Sequence, residues 1–279
     1  MVLHAAPLCE LAKDSICRRR DMAFAELNGL RMRYEFSGLE SGPVLVFSHP
    51  LGTDLTMWDG QAADFGKQFR VLRYDKRGHG GSSSPAGPYT IEQMGRDAIA
   101  LLDCLKLDKV NYCGLSIGGQ TGMWLGANAP ARLNKLVLSN TAAKIGNDDG
   151  WNARTDAVTK GGMKSVSKVV IDRWFTPDFQ AKAPTEIEKI RNVFERSDAA
   201  GYIASCQAVK AFDFREKVSG VRVPTLMIAG THDPATTPVD TKFVADRIAG
   251  SKFVELNASH LSNIEQREKY SATVAEFLA

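Results

Sequence analysis

From residue 24 onward the chain alternates between short apolar runs rich in β-branched residues and longer stretches whose apolar positions recur at helical spacing. The runs FAEL (24–27), LRMRYEF (30–36), VLVFSH (44–49), RVLRYD (70–75), KVNYCG (109–114), KLVLSN (135–140), TLMIAG (225–230) and KFVELN (252–257) read as strands. Several are apolar throughout, as strands covered on both faces must be. Between them IEQMGRDAIALLDCLKL (91–107) and IGGQTGMWLGANA (117–129) read as helices, the second ending before Pro130. This alternation predicts an α/β fold, a mostly parallel eight-stranded sheet flanked by helices. It breaks once. Between 142 and 214 the segments WNARTDAVTKGGMKSVSKVVIDRWF, APTEIEKIRNVFERSD and GYIASCQAVKAFD read as successive amphipathic helices with no strand among them. The expected organisation is therefore a core of residues 22–141 and 215–279 interrupted by a helical cap, 142–214, inserted before the penultimate strand. Open α/β sheets bind ligands beyond the carboxyl ends of their strands, so a cap leaving from such an end is placed to roof the site.

Composition removes several alternatives. The chain has 279 residues, 44% hydrophobic and 24% charged, with a net charge of only +3, which leaves no electrostatic footprint for nucleic acid. No apolar run approaches a membrane span, and the five cysteines show neither metal-binding nor paired-disulfide spacing. These features predict a reduced, cytoplasmic protein with a small-molecule partner. Residues 1–21 carry no period that connects to the first strand, and MAFAELNGLRMRYEFSG reads as a natural beginning at Met22. The first 21 residues are expected to form a disordered or loosely packed extension.

The decade 111–120 reads NYCGLSIGGQ and places G-L-S-I-G around Ser116. A strand precedes it and a helix comes after, which is the setting of a nucleophile elbow: a turn so sharp that only glycine fits two residues either side, here Gly114 and Gly118. A helix-capping serine would not require those paired glycines. A serine hydroxyl needs a base, and this motif expects one late in the chain, after an orienting acid. Of the five histidines, only His260 follows the last strand, in NASHLSN. Asp233 follows the strand TLMIAG in a Pro/Thr-rich turn and is preferred to Asp213 and Asp240; the other usual slot for the acid holds Asn140, which carries no charge. For the oxyanion, the expected donors are the backbone N–H groups of Ile117 and Leu51, the latter in SHPLGTDLTMW, where Pro50 has none to offer.

Elbow, late histidine, intervening aspartate and helical insertion together describe an α/β hydrolase. The segments CGLSIGGQTGMWLG, LVLSNTAAKIG, DRWFTPDF, IAGTHDPATTP and NASHLSNIEQ further resemble the 3-oxoadipate enol-lactonase family, from about residue 22 to the C-terminus. Two departures are Pro50 in the oxyanion loop and Thr231-His232 beside the acid, where His232 is positioned to perturb Asp233. The resemblance implies hydrolysis of a small anionic lactone, 3-oxoadipate enol-lactone, in aromatic compound breakdown, without metal or organic cofactor. Such a substrate needs a cation for its carboxylate, and the cap offers Arg154, Lys164, Lys168 and Arg173, with Lys144 where the cap begins. Arg154 lies three residues after Trp151, on one helical face, as wall and anchor; Trp58, following the oxyanion loop, is the other expected substrate contact. General esterases, C–C bond hydrolases, perhydrolases and hydrolase-fold ligand receptors use the same scaffold and stay open, as does a homo-oligomer. Dehalogenases and epoxide hydrolases use a carboxylate nucleophile, which position 116 does not supply.

Overall fold

Every apolar run forms a strand in the computed structural model, which describes residues 23–27 and 29–279. The expectation for residues 1–21 lies outside the described residues. The strands are β1 (Ala23–Leu27), β2 (Leu30–Gly38), β3 (Val44–Ser48), β4 (Arg70–Tyr74), β5 (Val110–Leu115), β6 (Leu133–Ser139), β7 (Thr225–Gly230) and β8 (Lys252–Leu256). They build one sheet in the order β1-β2-β4-β3-β5-β6-β7-β8. The β1–β2 and β2–β4 pairings are antiparallel and all others parallel.

Every residue of β3, β5 and β7 is buried, the physical reason those three runs lack polar alternation. Helices α2 (Ile91–Cys104), α3 (Ile117–Asn128) and α9 (Pro238–Ala245) contribute to one apolar layer against the sheet, and α1 (Asp59–Phe65) and α11 (Arg267–Leu278) to the other. The four-residue α10 (Ser262–Glu265) leads into α11. Large core side chains such as Phe47, Tyr112 and Leu226 contribute about 1.5–3 kcal/mol each on burial. Among the described residues no helix is long and apolar enough to cross a membrane.

The strand ends explain where chemistry can occur. Ser48 at the end of β3 pairs with Tyr74 and Gly114, Leu115 with Ser139, and Gly230 with Leu256, so the carboxyl ends of the parallel strands share one edge. From that edge, between β6 and β7, the chain leaves to form α4 (Asp148–Gly161), α5 (Lys164–Trp174), α6 (Pro177–Lys182), α7 (Pro184–Glu195) and α8 (Ala199–Ala211). The first long amphipathic segment is split into α4 and α5 because Gly162 takes φ +68°, a conformation that ends a helix cheaply only at glycine. Thr176 starts α6 by accepting the Phe179 N–H at 3.3 Å, with Pro177 as the first helical residue.

Candidate active site

Ser116 sits between β5 and α3 with φ 57° and ψ −117°, a backbone state that costs a non-glycine residue about 1–3 kcal/mol. The surroundings over-determine it. Its N–H donates to the Ser139 carbonyl at 3.0 Å, and its own carbonyl accepts the Gln120 N–H at 2.9 Å and the Thr141 hydroxyl at 2.8 Å. A Cβ at Gly114 would lie 2.2 Å from the Gly118 carbonyl oxygen, and one at Gly118 would lie 2.3 Å from the Ser48 carbonyl oxygen. The two glycines are therefore what lets the chain turn tightly enough to lift the Ser116 side chain above the sheet edge. That side chain does not cap α3; it lines a cavity under the inserted helices.

His260 follows β8 on a loop pinned by the Leu261 N–H to the Trp174 carbonyl (3.0 Å) and the Ser259 hydroxyl to the Arg173 carbonyl (2.7 Å), both on α5. Its Nδ1 lies 2.7 Å from Asp233 Oδ2, and both residues are buried. The Asp233 carboxylate also accepts the N–H groups of Ala235 (2.8 Å) and Thr236 (3.1 Å), the Thr236 hydroxyl (2.7 Å) and the Asn140 amide (3.0 Å). Burial pushes this carboxyl up, but the neighbouring His260 and the hydrogen bonds from His260, Thr236 and Asn140 outweigh it and hold the group below the ordinary carboxylate range. An ionised Asp233 requires the proton on His260 Nδ1, which leaves Nε2 as the acceptor of the neutral ring.

Ser116 and His260 line the same cavity of about 550 Å³, together with Leu51, Trp151, Arg154 and Tyr202. The Arg154 guanidinium lies 5.0 Å from the centre of the Trp151 ring, and Trp151 is fixed by its indole N–H donating to the Ile145 carbonyl at 2.7 Å. Burial pushes the Tyr202 hydroxyl up and the Cys206 thiol up to about 12, while the Arg154 charge beside them pulls both back down. Among the described residues neither Arg154 nor Arg173, the two cations of the cavity wall, forms an ion pair with a carboxylate. No group of three or more His, Cys, Asp or Glu side chains among the described residues is placed to hold a metal ion.

Residues 43–266 match the family model described as alpha/beta hydrolase fold. A 3-oxoadipate enol-lactonase of Acinetobacter baylyi is 41% identical over 87% of this chain and 91% of its own length. A second one from the same organism is 39% identical over 90% of this chain and 94% of its own. The crystal structure of the enol-lactonase from Burkholderia xenovorans LB400 superposes with a TM-score of 0.91 at 44% identity, covering 92% of this chain and 99% of that one. The chain belongs to the 3-oxoadipate enol-lactonase family of α/β hydrolases. Membership makes it a hydrolase.

Within this enol-lactonase family member the residues singled out in the sequence fall into two sets. Ser116, Asp233, His260, Leu51, Ile117, Trp151 and Arg154 lie at the sheet edge or in the cavity wall. Trp58 does not, and its expected place in the substrate pocket is corrected. The 3₁₀ turn Leu55–Trp58, started by Asp54 accepting the Thr56 N–H, directs the indole down against the sheet, where it is 0% exposed. There it packs on Phe47, with ring centres 4.7 Å apart, and near Tyr270. Lys168 pairs with Asp172, and Lys144 donates to the Lys210 carbonyl, so neither reaches the cavity. His232 turns outward to Asn257 at 2.9 Å rather than toward Asp233.

Two participants escaped the sequence reading. Asn140, set aside for lack of charge, holds Asp233 through its amide nitrogen and accepts the Ser262 hydroxyl at 2.6 Å through its oxygen. Its position at the end of a strand in the alternative acid slot was the available signal. Tyr202, from an alternating apolar helix of the insertion, carried no signal at all.

Proposed function

We propose that the protein hydrolyses 3-oxoadipate enol-lactone to 3-oxoadipate through an acyl-enzyme on Ser116. The observation that carries the reading is one cavity holding a strained serine, a carboxylate-oriented histidine and an unpaired guanidinium, in a chain about 40% identical to enzymes named for that reaction. His260 Nε2 takes the hydroxyl proton as Ser116 Oγ attacks the lactone carbonyl. The tetrahedral oxyanion accepts the backbone N–H groups of Leu51 and Ile117. Collapse breaks the ring C–O bond; the departing enolate takes the proton from His260 and tautomerises to the ketone while still tethered through the acyl group. Water, deprotonated by His260, then attacks the acyl carbon, and that proton returns to Ser116 Oγ as the new carboxylic acid leaves and ionises, releasing its own proton to solvent and giving the dicarboxylate. Asp233 keeps the His260 proton on Nδ1 and stabilises the imidazolium.

The free carboxylate of this substrate calls for a cation, and Arg154 is the one stacked in place against Trp151. A single rate comparison tests the assignment: kcat/KM for the enol-lactone should exceed that for a neutral aryl ester and for a ring-cleavage dienoate by at least about tenfold, or about 1.4 kcal/mol of transition-state binding. Equal rates would leave a general esterase. Arg154→Leu should lower kcat/KM for the carboxylated lactone by about 10–100-fold, the worth of a charge-assisted hydrogen bond, and leave the neutral ester nearly unchanged. Equal losses on both substrates would remove Arg154 as anchor.

A further inference from the structure

Two buried histidines outside the proposed triad, His49 and His79, face each other with ring centres 5.1 Å apart, directly behind the loop that carries Leu51. Each bridges that loop to the turn after β4, and they do so reciprocally. His49, on the loop, accepts the Lys76 N–H at Nε2 (3.1 Å); His79, on the turn, accepts the Gly52 N–H at Nε2 (3.0 Å). Carbonyl oxygens set both tautomers. His79 Nδ1 is 3.1 Å from the Arg77 carbonyl and His49 Nδ1 is 2.8 Å from the Pro50 carbonyl; a carbonyl only accepts, so Nδ1 carries the proton in each ring and Nε2 offers its lone pair.

We infer that His79 and His49 are positioning residues for acyl transfer, a histidine clasp that holds both peptide planes flanking Leu51 so that its N–H stays aimed at the forming oxyanion. The inference rests on the proposed role of Leu51 as an oxyanion donor. A peptide group is planar, so fixing its carbonyl fixes the direction of its N–H. The plane containing the Leu51 N–H has Pro50 oxygen as its carbonyl, held by His49 Nδ1–H and by the Thr53 hydroxyl at 3.1 Å. The following plane contains the Gly52 N–H, held by His79. Lys76 closes the clasp by donating from Nζ to the His49 carbonyl.

The clasp has little freedom to rearrange. Gly52 has φ +77°, and a Cβ there would lie 2.7 Å from the Phe194 ring, so the insertion packs closely against the loop. Burial, reinforced by Lys76, pushes His79 down to about 3 and His49 well below the usual imidazole range, which keeps both rings neutral acceptors. A preorganised donor acts by not having to reorient as charge develops, so loosening it slows chemistry rather than weakening substrate binding.

The test uses the whole protein with His79→Leu, which removes the acceptor, and His79→Gln, whose amide oxygen can accept the Gly52 N–H. His79→Leu should lower kcat by about 10–100-fold for the enol-lactone and a neutral aryl ester alike, with KM changed less than about threefold; removing an oxyanion donor outright costs about 100–1,000-fold. His79→Gln should recover most of that loss, which a merely space-filling role would not. A cooperatively folded His79→Leu that keeps kcat within about twofold, or loses only KM, overturns the inference. Should His79→Leu not fold, the ¹⁵N spectrum of the wild-type imidazoles decides: a bare Nε2 on His79 supports the clasp, and a protonated Nε2 at neutral pH overturns it. Activity surviving Ser116→Ala would instead remove the acyl-enzyme reading, a separate outcome.

Discussion

Ser116→Ala is expected to lower kcat for the enol-lactone by about 100,000-fold or more, with the melting temperature unchanged. Alanine retains the Cβ, so the strained backbone at 116 and its hydrogen bonds to Ser139, Gln120 and Thr141, all made by main-chain atoms of residue 116, survive. Only the Oγ is lost. Residual turnover would come from water attacking a lactone held beside Leu51 and Ile117, a route without a covalent intermediate. Steady-state kinetics on the lactone with thermal unfolding as control checks this, and mass spectrometry should find acylated protein in the wild type alone. A variant within about tenfold of wild type would take Ser116 out of the reaction.

Asp233→Asn should cost about 10,000-fold in kcat for a different reason. The carboxylate is surrounded by donors: the Asn140 amide, the Thr236 hydroxyl, two backbone N–H groups and His260 Nδ1–H. An asparagine amide must point its NH₂ at one of these, and the arrangement that spares the two backbone donors sets NH₂ against Nδ1–H. The ring then moves its proton to Nε2 and can no longer accept one from Ser116. The same carboxyl contributes to stability. Its folded pKa lies below the ordinary value, so the contribution is full above about pH 4 and is lost as the pH falls through the lower folded value. Urea midpoints from pH 7 down to pH 3 should therefore fall less steeply for Asp233→Asn than for wild type. Parallel curves would contradict the depressed carboxyl.

The family resemblance and the geometry meet at the cap. Trp151 and Arg154 lie on one turn of α4, and the insertion brings Tyr202 of α8 beside them. Arg154 has no carboxylate partner among the described residues and lines the same cavity as Ser116. Arg154 is the half-buried cation beside the aromatic wall, so its charge, rather than the wall, is the feature expected to separate a carboxylated lactone from a neutral ester.

The sequence by itself determined the strands and the elbow, because both are local. A run buried on both faces must be apolar, and a turn that brings Gly118 within reach of Ser48 tolerates nothing larger than glycine. It also singled out Ser116, Asp233 and His260, each just after a recognisable strand. Only the tertiary structure decided what meets across long separations. The strand register brings Asn140 to Asp233, 93 positions away; a 3₁₀ turn sends Trp58 into the core; the reciprocal packing of two turns joins His79 to Gly52. Such contacts depend on register and on the direction in which side chains leave their elements, and no spacing along the chain encodes either.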